Sequence, residues 1–273
     1  MTRRRMLAGC ECSGMVRDAF ARLGWEAWSC DTEPSETPVL GTMKSSGELV
    51  VTAQGEREGL GYHYQGDVRD LFDPMHPVNG ERWLLNWADG TALWDIGAFF
   101  PPCTHLSQAG AVWWKHKDAT RGGDGRMQEG ARFFMQMVEE GGKACARSAV
   151  ENPVGVMGLP SQACYYRRPD QVVQPYMFGD PHKKATCLWL NGLPLLVADN
   201  PVEWKYRVAT GGGSWRTDQG NGRGANNKYE GGVGEDAKGR VNRQRERNRT
   251  LPGFARAMAS QWTAFTEAQE AAA

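Results

Sequence analysis

The chain has 273 residues, of which 40% are hydrophobic and 23% charged, as in an ordinary globular protein. Its 32 basic and 32 acidic side chains cancel, so the total charge alone does not indicate a polyanionic partner. No apolar run approaches the roughly 20 residues that a membrane span needs. We therefore expect a cytoplasmic protein with one main domain and no membrane partner.

The seven cysteines are odd in number and scattered, with no CxxC pair among them. This pattern argues against a disulfide framework and against a four-cysteine zinc site. We expect reduced thiols and no bound metal.

Short apolar stretches of strand type alternate with amphipathic stretches along the chain. In the first amphipathic stretch Met15, Val16, Ala19, Phe20 and Leu23 recur at helical spacing. The alternation is typical of an α/β protein with a doubly wound, mostly parallel sheet, whose ligands bind at the carboxyl ends of the strands. The sequence predicts strands at 5–10, 25–31, 62–72, 92–103, 144–153 and 185–190, helices at 13–24, 125–142 and 250–273, and an irregular insertion at 34–62 with a small hairpin around GELVVTA.

Polar residues follow the first three predicted strands. Gly9 and Gly14 bracket the turn GCECSG and would let the backbone approach a nucleotide-like ligand, although a plain tight turn has the same pattern. Asp31 follows the second strand, where a carboxylate can accept hydrogen bonds from ribose hydroxyls. Asp67 follows the third and could accept from the amine of an adenine. Each aspartate alone could equally be a helix cap.

The stretch FFPPCTHLS presents a thiol directly after two prolines. Proline fixes the backbone and lacks an N–H, so the pair holds Cys103 in a stiff loop at the end of a strand. Glu151 ends the next predicted strand in the sequence AVENP, where Asn152 and the following proline again stiffen the turn. A thiol and a carboxylate at neighbouring strand ends can perform nucleophilic addition to an activated ring.

Several stretches of the sequence resemble, in their order along the chain, the motifs of the DNA (cytosine-5)-methyltransferases, and in particular the short methylase-like proteins of phages and prophages. These stretches are the first turn, Asp31, QGD, PPCTHLS and ENP. The resemblance runs from Met6 to about Leu196. It resumes in RTLPGFARAMASQW, which is similar to the family's last motif. Thr104 stands where the family usually has glutamine.

The resemblance implies a Rossmann-like fold of the class I S-adenosylmethionine-dependent methyltransferases, a DNA partner, and a bacterial host or phage-infected cell. In the mechanism that the resemblance implies, Cys103 adds to carbon 6 of a flipped cytosine while Glu151 contacts nitrogen 3. Carbon 5 of the cytosine then takes the methyl group of S-adenosylmethionine, which becomes S-adenosylhomocysteine. Pro102 and Asn152 complete the implied catalytic set. The implied cofactor-binding residues are Gly9, Cys10, Glu11, Ser13, Gly14, Asp31, Asp67 and Val68, and the implied DNA contacts are Ser107, Lys183, Lys184, Arg243, Arg245, Arg247 and Arg249.

The segment from Lys205 to Arg249 is rich in glycine and carries 11 basic against 5 acidic residues. Such a segment either contacts phosphates or is a solvated loop. Its place before the last helix is where the family carries its target-recognition region. We therefore divide the chain into a catalytic core at 1–196, a DNA-recognition segment at 197–248, and a C-terminal helix at 249–273 that packs back on the core.

Other readings of the sequence stay open. A methylase fold that binds DNA without turnover is favoured by Thr104 and by lysines in place of an arginine motif, whereas Cys103 and Glu151 favour an enzyme. A pyrimidine-modifying enzyme could use the same thiol on a free nucleotide or deliver a different one-carbon group. An amino-methyltransferase would need Asp, Asn or Ser before the two prolines, where this chain has Phe100.

Overall fold

The computed structural model describes residues 3–51, 59–81, 84, 88, 90–204, 206–207 and 249–272. The predicted recognition segment lies almost wholly outside these residues, as do Arg243, Arg245 and Arg247. No helix in the described ranges is long and apolar enough to cross a membrane. Within the same ranges no cluster of three or more metal-ligating side chains occurs, and the seven cysteines form no disulfide.

The chain folds as a mixed α/β protein. Its strands are β1 (Arg5–Gly9), β2 (Glu26–Asp31), β3 (Gly41–Lys44), β4 (Leu49–Val51), β5 (Tyr62–Gln65), β6 (Trp94–Phe99), β7 (Cys145–Pro153), β8 (Gln171–Val173), β9 (His182–Lys183), β10 (Thr186–Asn191) and β11 (Tyr206–Arg207). Its α-helices are α1 (Met15–Ala21), α2 (Trp114–Lys117), α3 (Arg126–Ala144) and α4 (Pro252–Ala272).

The main sheet has nine strands in the order β4-β3-β5-β2-β1-β6-β7-β10-β8. The neighbours from β3 through β7 pair in parallel, whereas β4, β10 and β8 pair antiparallel to the strands beside them. The chain order reverses beside β1. The carboxyl ends of β1, β2, β6 and β7 therefore meet at one edge of the sheet, where ligands of such sheets bind.

Helices cover both faces of the sheet. Successive residues of a strand point to opposite faces, so each face has its own set of apolar side chains to bury. On one face Leu7 packs in a buried cluster with Phe134 and Met137 of α3. On the other face Met6 packs in a second cluster with Phe20 of α1 and residues of α4. The predicted doubly wound, mostly parallel sheet thus has its two layers of helices.

The predicted hairpin around GELVVTA is present as β3 and β4, which pair antiparallel. The insertion is less irregular than predicted, because β3 also pairs in parallel with β5 and extends the main sheet. The predicted strand at 62–72 ends at Gln65, because the side chain of Asp67 caps a 3-10 turn at Val68–Phe72. The predicted strand at 92–103 ends at Phe99, before the two prolines.

Candidate active site

The carboxyl ends of β1, β2, β6 and β7 surround a cavity of about 450 Å³, a volume typical of small-molecule sites. Its wall includes residues from every part of the predicted site. These are Cys10, Glu11, Ser13, Asp31, Pro102, Cys103, Ser107, Glu151, Lys184 and Arg249.

The turn after β1 has an unusual backbone. Cys10 has a φ of 59° and is the only non-glycine residue with a positive φ in the described part of the chain. Left-handed backbone costs an L-residue roughly 1–2 kcal/mol. A hydrogen bond of 2.9 Å from the Glu11 N–H to the Cys30 carbonyl fixes the turn beside β2. Burial raises the pKa of the Cys10 thiol, so this cysteine is a poor nucleophile.

Glu11 is only 4% exposed although it lines the cavity. Its carboxylate accepts a hydrogen bond from the hydroxyl of Ser13 and another, of 3.2 Å, from the N–H of Gly14. Burial raises the pKa of Glu11 to about 7, against the opposing effects of the Ser13 hydrogen bond and the positive charge of Arg17. The carboxyl group therefore changes charge near neutral pH.

Asp31 ends β2 and lines the cavity. Its Oδ1 accepts a 3.0 Å hydrogen bond from the N–H of Glu33, which orients the carboxylate. Burial raises the pKa of Asp31, and the Glu33 N–H opposes that shift. The position is suited to accepting hydrogen bonds from ligand hydroxyls.

A fully buried arginine holds the loop that follows β2. Arg17 bonds Asp18 beside it in α1 and donates a 3.0 Å hydrogen bond to the hydroxyl of Ser29. That hydroxyl in turn lies 2.9 Å from Nδ1 of His63, whose Nε2 lies 3.0 Å from the Glu33 carbonyl oxygen. Because only an N–H can bond that oxygen, Nε2 carries a proton. Burial lowers the pKa of His63 to about 4, so the ring is neutral at pH 7 and Nδ1 is unprotonated. The remaining loop partners of the guanidinium are Ser35, Thr37 and Pro38.

The Cys103 loop lies between β6 and the segment after β7. The N–H groups of Leu106 and Ser107 both donate to the Cys103 carbonyl, at 3.0 and 2.9 Å, and form a tight turn. Asn152, which is 1% exposed, donates from Nδ2 to the Pro101 carbonyl at 3.0 Å. The loop that carries the thiol is therefore fixed to the end of the strand that carries Glu151.

Two backbone hydrogen bonds add to this attachment. The Gln108 N–H donates to the Val154 carbonyl at 2.8 Å, and the Val156 N–H donates to the Leu106 carbonyl at 2.9 Å. Gly155 lies between these bonds with extended backbone, and a Cβ at this position would collide with the Leu106 carbonyl oxygen. Glycine is required here by the close approach of the two segments.

Glu151 and Lys184 share the wall of the cavity with Cys103. Burial raises the pKa of Glu151, and the positive charge of Lys184 opposes that shift. A carboxyl group that holds its proton more readily than usual can donate it to a basic ring atom. This part of the cavity therefore combines a thiol with a candidate general acid.

Asp67 and Val68, which were predicted to bind the cofactor, are not among the residues that line this cavity. Asp67 accepts a 3.0 Å hydrogen bond from the Arg69 N–H and pairs with the Arg69 guanidinium, which lowers the pKa of Asp67. The carboxylate caps its own turn, which is the alternative left open for it. Val68 is 3% exposed and packs in the core beside Gly9, where a Cβ would collide with Phe99 and Val68.

Three further predicted residues are not among those that line the cavity. Gly14 has a φ of 74° and starts α1, so it shapes the turn without lining the cavity. Asn152 is a positioning residue for the Cys103 loop. The Lys183 ammonium lies 4.7 Å from the centre of the Trp204 ring, away from the cavity wall.

Arg249 was predicted to contact DNA phosphates, but its guanidinium pairs with Glu36 on the cavity wall. Glu33 and Glu36 are wall residues that the sequence analysis missed, together with Cys12. Both glutamates follow β2, which ends at the ligand-binding edge of the sheet, so their position in the sequence could have indicated a place on the cavity wall. The sequence of the long loop between β2 and β3 does not indicate which of its side chains line the cavity.

The fold and site define a mixed α/β protein with a ligand cavity at the carboxyl edge of its sheet. No family model matches the chain, and no curated protein matches it significantly. Among solved structures, the chain is similar to an E. coli protein encoded within prophage Cp and provisionally described as a DNA modification methyltransferase, with 14% identity and a TM-score of 0.36. The match covers 68% of this chain and 46% of that protein, so the chain spans less than half of its length.

Proposed function

We propose that this protein is an S-adenosylmethionine-dependent DNA methyltransferase that acts on carbon 5 of cytosine through a covalent adduct with Cys103. The observation that carries the proposal is the shared cavity wall of Cys103 and Glu151, whose segments are tied together by hydrogen bonds. A base must leave the duplex to enter such a cavity, at a cost of a few kcal/mol.

The proposed chemistry uses the thiol and the carboxyl group in turn. The Cys103 thiolate forms a bond to carbon 6 while Glu151 donates its proton to nitrogen 3, which makes the 5–6 electron pair available at carbon 5. Carbon 5 takes a methyl group and then loses its hydrogen as a proton to a base. The carbon–sulfur bond breaks to restore the thiolate, and nitrogen 3 returns its proton to Glu151.

The other part of the cavity fits the cofactor. S-adenosylmethionine, when bound, supplies an electrophilic methyl group on a sulfonium. Asp31 would accept hydrogen bonds from its ribose hydroxyls, and the buried carboxylate of Glu11 suits a cationic ligand. Asp67 is left out of this assignment because its carboxylate is engaged by Arg69.

We keep the proposed division of the chain into a core at 1–196, a DNA-recognition segment at 197–248 and a C-terminal helix at 249–273. The basic composition of the segment supports a role in binding phosphates. Arg249 is assigned to the cavity wall because of its pairing with Glu36.

The test measures modified nucleosides by mass spectrometry in DNA from cells that express the protein, Cys103→Ala or Cys164→Ala. Cys164 is a half-buried thiol away from the cavity and serves as the matched control. We expect 5-methylcytosine with the wild type and with Cys164→Ala, and none with Cys103→Ala. Methylation of an exocyclic amine, or 5-methylcytosine that persists in Cys103→Ala, would contradict the proposal.

A second measurement distinguishes DNA from a free nucleotide as the substrate. The purified protein is incubated with S-adenosylmethionine and either DNA containing 5-fluorocytosine or the corresponding nucleotide, since fluorine cannot leave as a proton does. We expect a denaturation-resistant complex with the DNA. Trapping by the nucleotide alone would favour the nucleotide-modifying alternative.

A further inference from the structure

Glu11 combines two properties that conflict in a protein without a ligand. Its side chain is nearly inaccessible to solvent, at 4% exposure of the residue, yet it forms part of the wall of the ligand cavity. Burying an ionised carboxylate is costly unless charge or hydrogen bonds compensate. The hydroxyl of Ser13 and the N–H of Gly14 supply two donors, but neither brings a positive charge.

The cations on this side of the cavity are engaged with other carboxylates. Arg17 of α1 pairs with Asp18, at 2.6 Å between Nη2 and Oδ1. Arg249, which precedes α4, pairs with Glu36 of the loop after β2. The remaining charged groups on the wall are Asp31 at the end of β2, Glu33 in the loop after it, and Glu151 and Lys184 beyond β6. In the described residues the charge of Arg17 reaches Glu11 and lowers its pKa, but Arg17 is paired with Asp18, so the carboxylate of Glu11 has no ion pair with either arginine.

We propose that Glu11 is a specificity-determining residue, which makes the cavity prefer a cationic methyl donor to its neutral product and releases a proton when that donor binds. This inference rests on the proposed function. S-adenosylmethionine carries a sulfonium that becomes an uncharged thioether once the methyl group is transferred. A buried carboxylate in the same cavity is attracted to the sulfonium of the donor and much less to the uncharged thioether of the product. The low local dielectric strengthens the attraction to the sulfonium.

The structure links this preference to pH. Burial raises the pKa of Glu11 to about 7, so without a neighbouring cation the carboxyl group is partly protonated at neutral pH. A bound cation lowers that pKa, because it favours the charged form. Donor binding below pH 7 must therefore expel a proton, and donor affinity rises with pH across this range. The neutral product lacks the sulfonium charge, so its affinity changes less with pH.

The experiment is calorimetric titration of S-adenosylmethionine and S-adenosylhomocysteine into the full chain at pH 6, 7 and 8. Two buffers with different protonation enthalpies report the protons released. For the wild type we expect donor affinity to rise about tenfold from pH 6 to pH 8, with proton release near pH 6.5. Product affinity should change less than threefold.

Glu11→Gln keeps the size and the acceptor oxygen but removes the charge. It should abolish the proton release and reduce the preference for donor over product about tenfold. Glu81→Gln is the matched comparison, because Glu81 is an exposed carboxylate that does not line the cavity. Glu81→Gln should keep both the proton release and the preference. If Glu11→Gln does not fold, Ser13→Ala makes the assignment instead, because it removes a hydrogen bond that lowers the pKa of Glu11 and should move the proton release to higher pH.

Three results would overturn the inference. Equal pH profiles of affinity for donor and product in the wild type would show that no group sensitive to the sulfonium titrates. An unchanged preference for donor over product in Glu11→Gln would assign the preference to another residue. Both leave the proposed function intact. Absence of donor binding at every pH, with 5-methylcytosine absent from cells, would remove the inference and the proposed function together.

Discussion

The two halves of the cavity are held by different kinds of force. In the half at β6 and β7, the described hydrogen bonds that fix the Cys103 loop are accepted by backbone carbonyls, and two side chains, Asn152 and Lys117, are among the donors. The half at β1 and β2 holds its loop through the buried guanidinium of Arg17 and the neutral imidazole of His63. We therefore expect substitutions and changes of pH to affect the structure of the two halves unequally.

Removing the buried guanidinium should have the largest effect on stability. Arg17→Met leaves Asp18 without its ion-pair partner and the loop at 35–38 without donors, so unfolding free energy should fall by about 3–5 kcal/mol. Chemical denaturation monitored by circular dichroism measures it. Arg22→Met, at an exposed arginine one turn further along, is the control and should cost less than about 0.5 kcal/mol. A loss below about 1 kcal/mol in Arg17→Met would mean that the network is not a support.

Gly155→Ala should separate the halves functionally. The new Cβ collides with the Leu106 carbonyl oxygen, so the Cys103 loop must move away from β7. A displacement of about 1 Å can cost about 100-fold in rate. We expect adduct formation to slow by about that factor while affinity for S-adenosylmethionine stays within threefold. Gly142→Ala, whose Cβ would meet nothing closer than 3.6 Å, should leave both unchanged. Full adduct formation in Gly155→Ala would refute the role of the close approach.

The pH dependence of stability should come from the β1 and β2 half. Burial lowers the pKa of His63 to about 4, below its ordinary 6.5. Between pH 6.5 and 4 the unfolded chain thus binds a proton at His63 that the folded chain does not, so the stability that His63 contributes falls as the pH falls through this window. From pH 7 to pH 5 this contribution falls by about 2 kcal/mol. Glu11 acts in the opposite direction, because its raised pKa makes the folded chain bind the extra proton.

His63→Gln checks the assignment, because glutamine does not titrate. The loss of unfolding free energy between pH 7 and pH 5 should be about 2 kcal/mol smaller in this variant than in the wild type. His116→Gln, at an exposed histidine, should behave as the wild type. Identical pH slopes in wild type and His63→Gln would assign the loss to other groups.

The sequence predicted the halves with unequal success. Cys103 follows two prolines, whereas Glu151 and Asn152 lie at the end of β7 beside a proline, and these are local signals. Cys103 and Glu151 line the cavity, and Asn152 bonds the Cys103 loop. The alternation of strands and helices likewise predicted the two-layered covering of a mostly parallel sheet, because side-chain periodicity is also local.

The other half depends on contacts that no local pattern records. Arg17 lies in an amphipathic helix, where an arginine is normally solvent-exposed, but β2 and the loop after it pack against it and bury it. Asp67 has the sequence position of a ligand-binding residue, but capping of its own turn engages it first. The inward turn of Glu36 depends on Arg249, which is 213 residues away in the chain.

The two backbone bonds on either side of Gly155 bear on how this site could be redesigned. Because Gln108 and Val156 use their N–H groups, the attachment does not depend on the side chains of the Cys103 loop. Thr104, Ala109 and Gly110 all face the cavity from that loop. A combinatorial library at these three positions should therefore vary which base or flanking group is accepted while the thiol keeps its position, which makes the loop a natural starting point for altering substrate range.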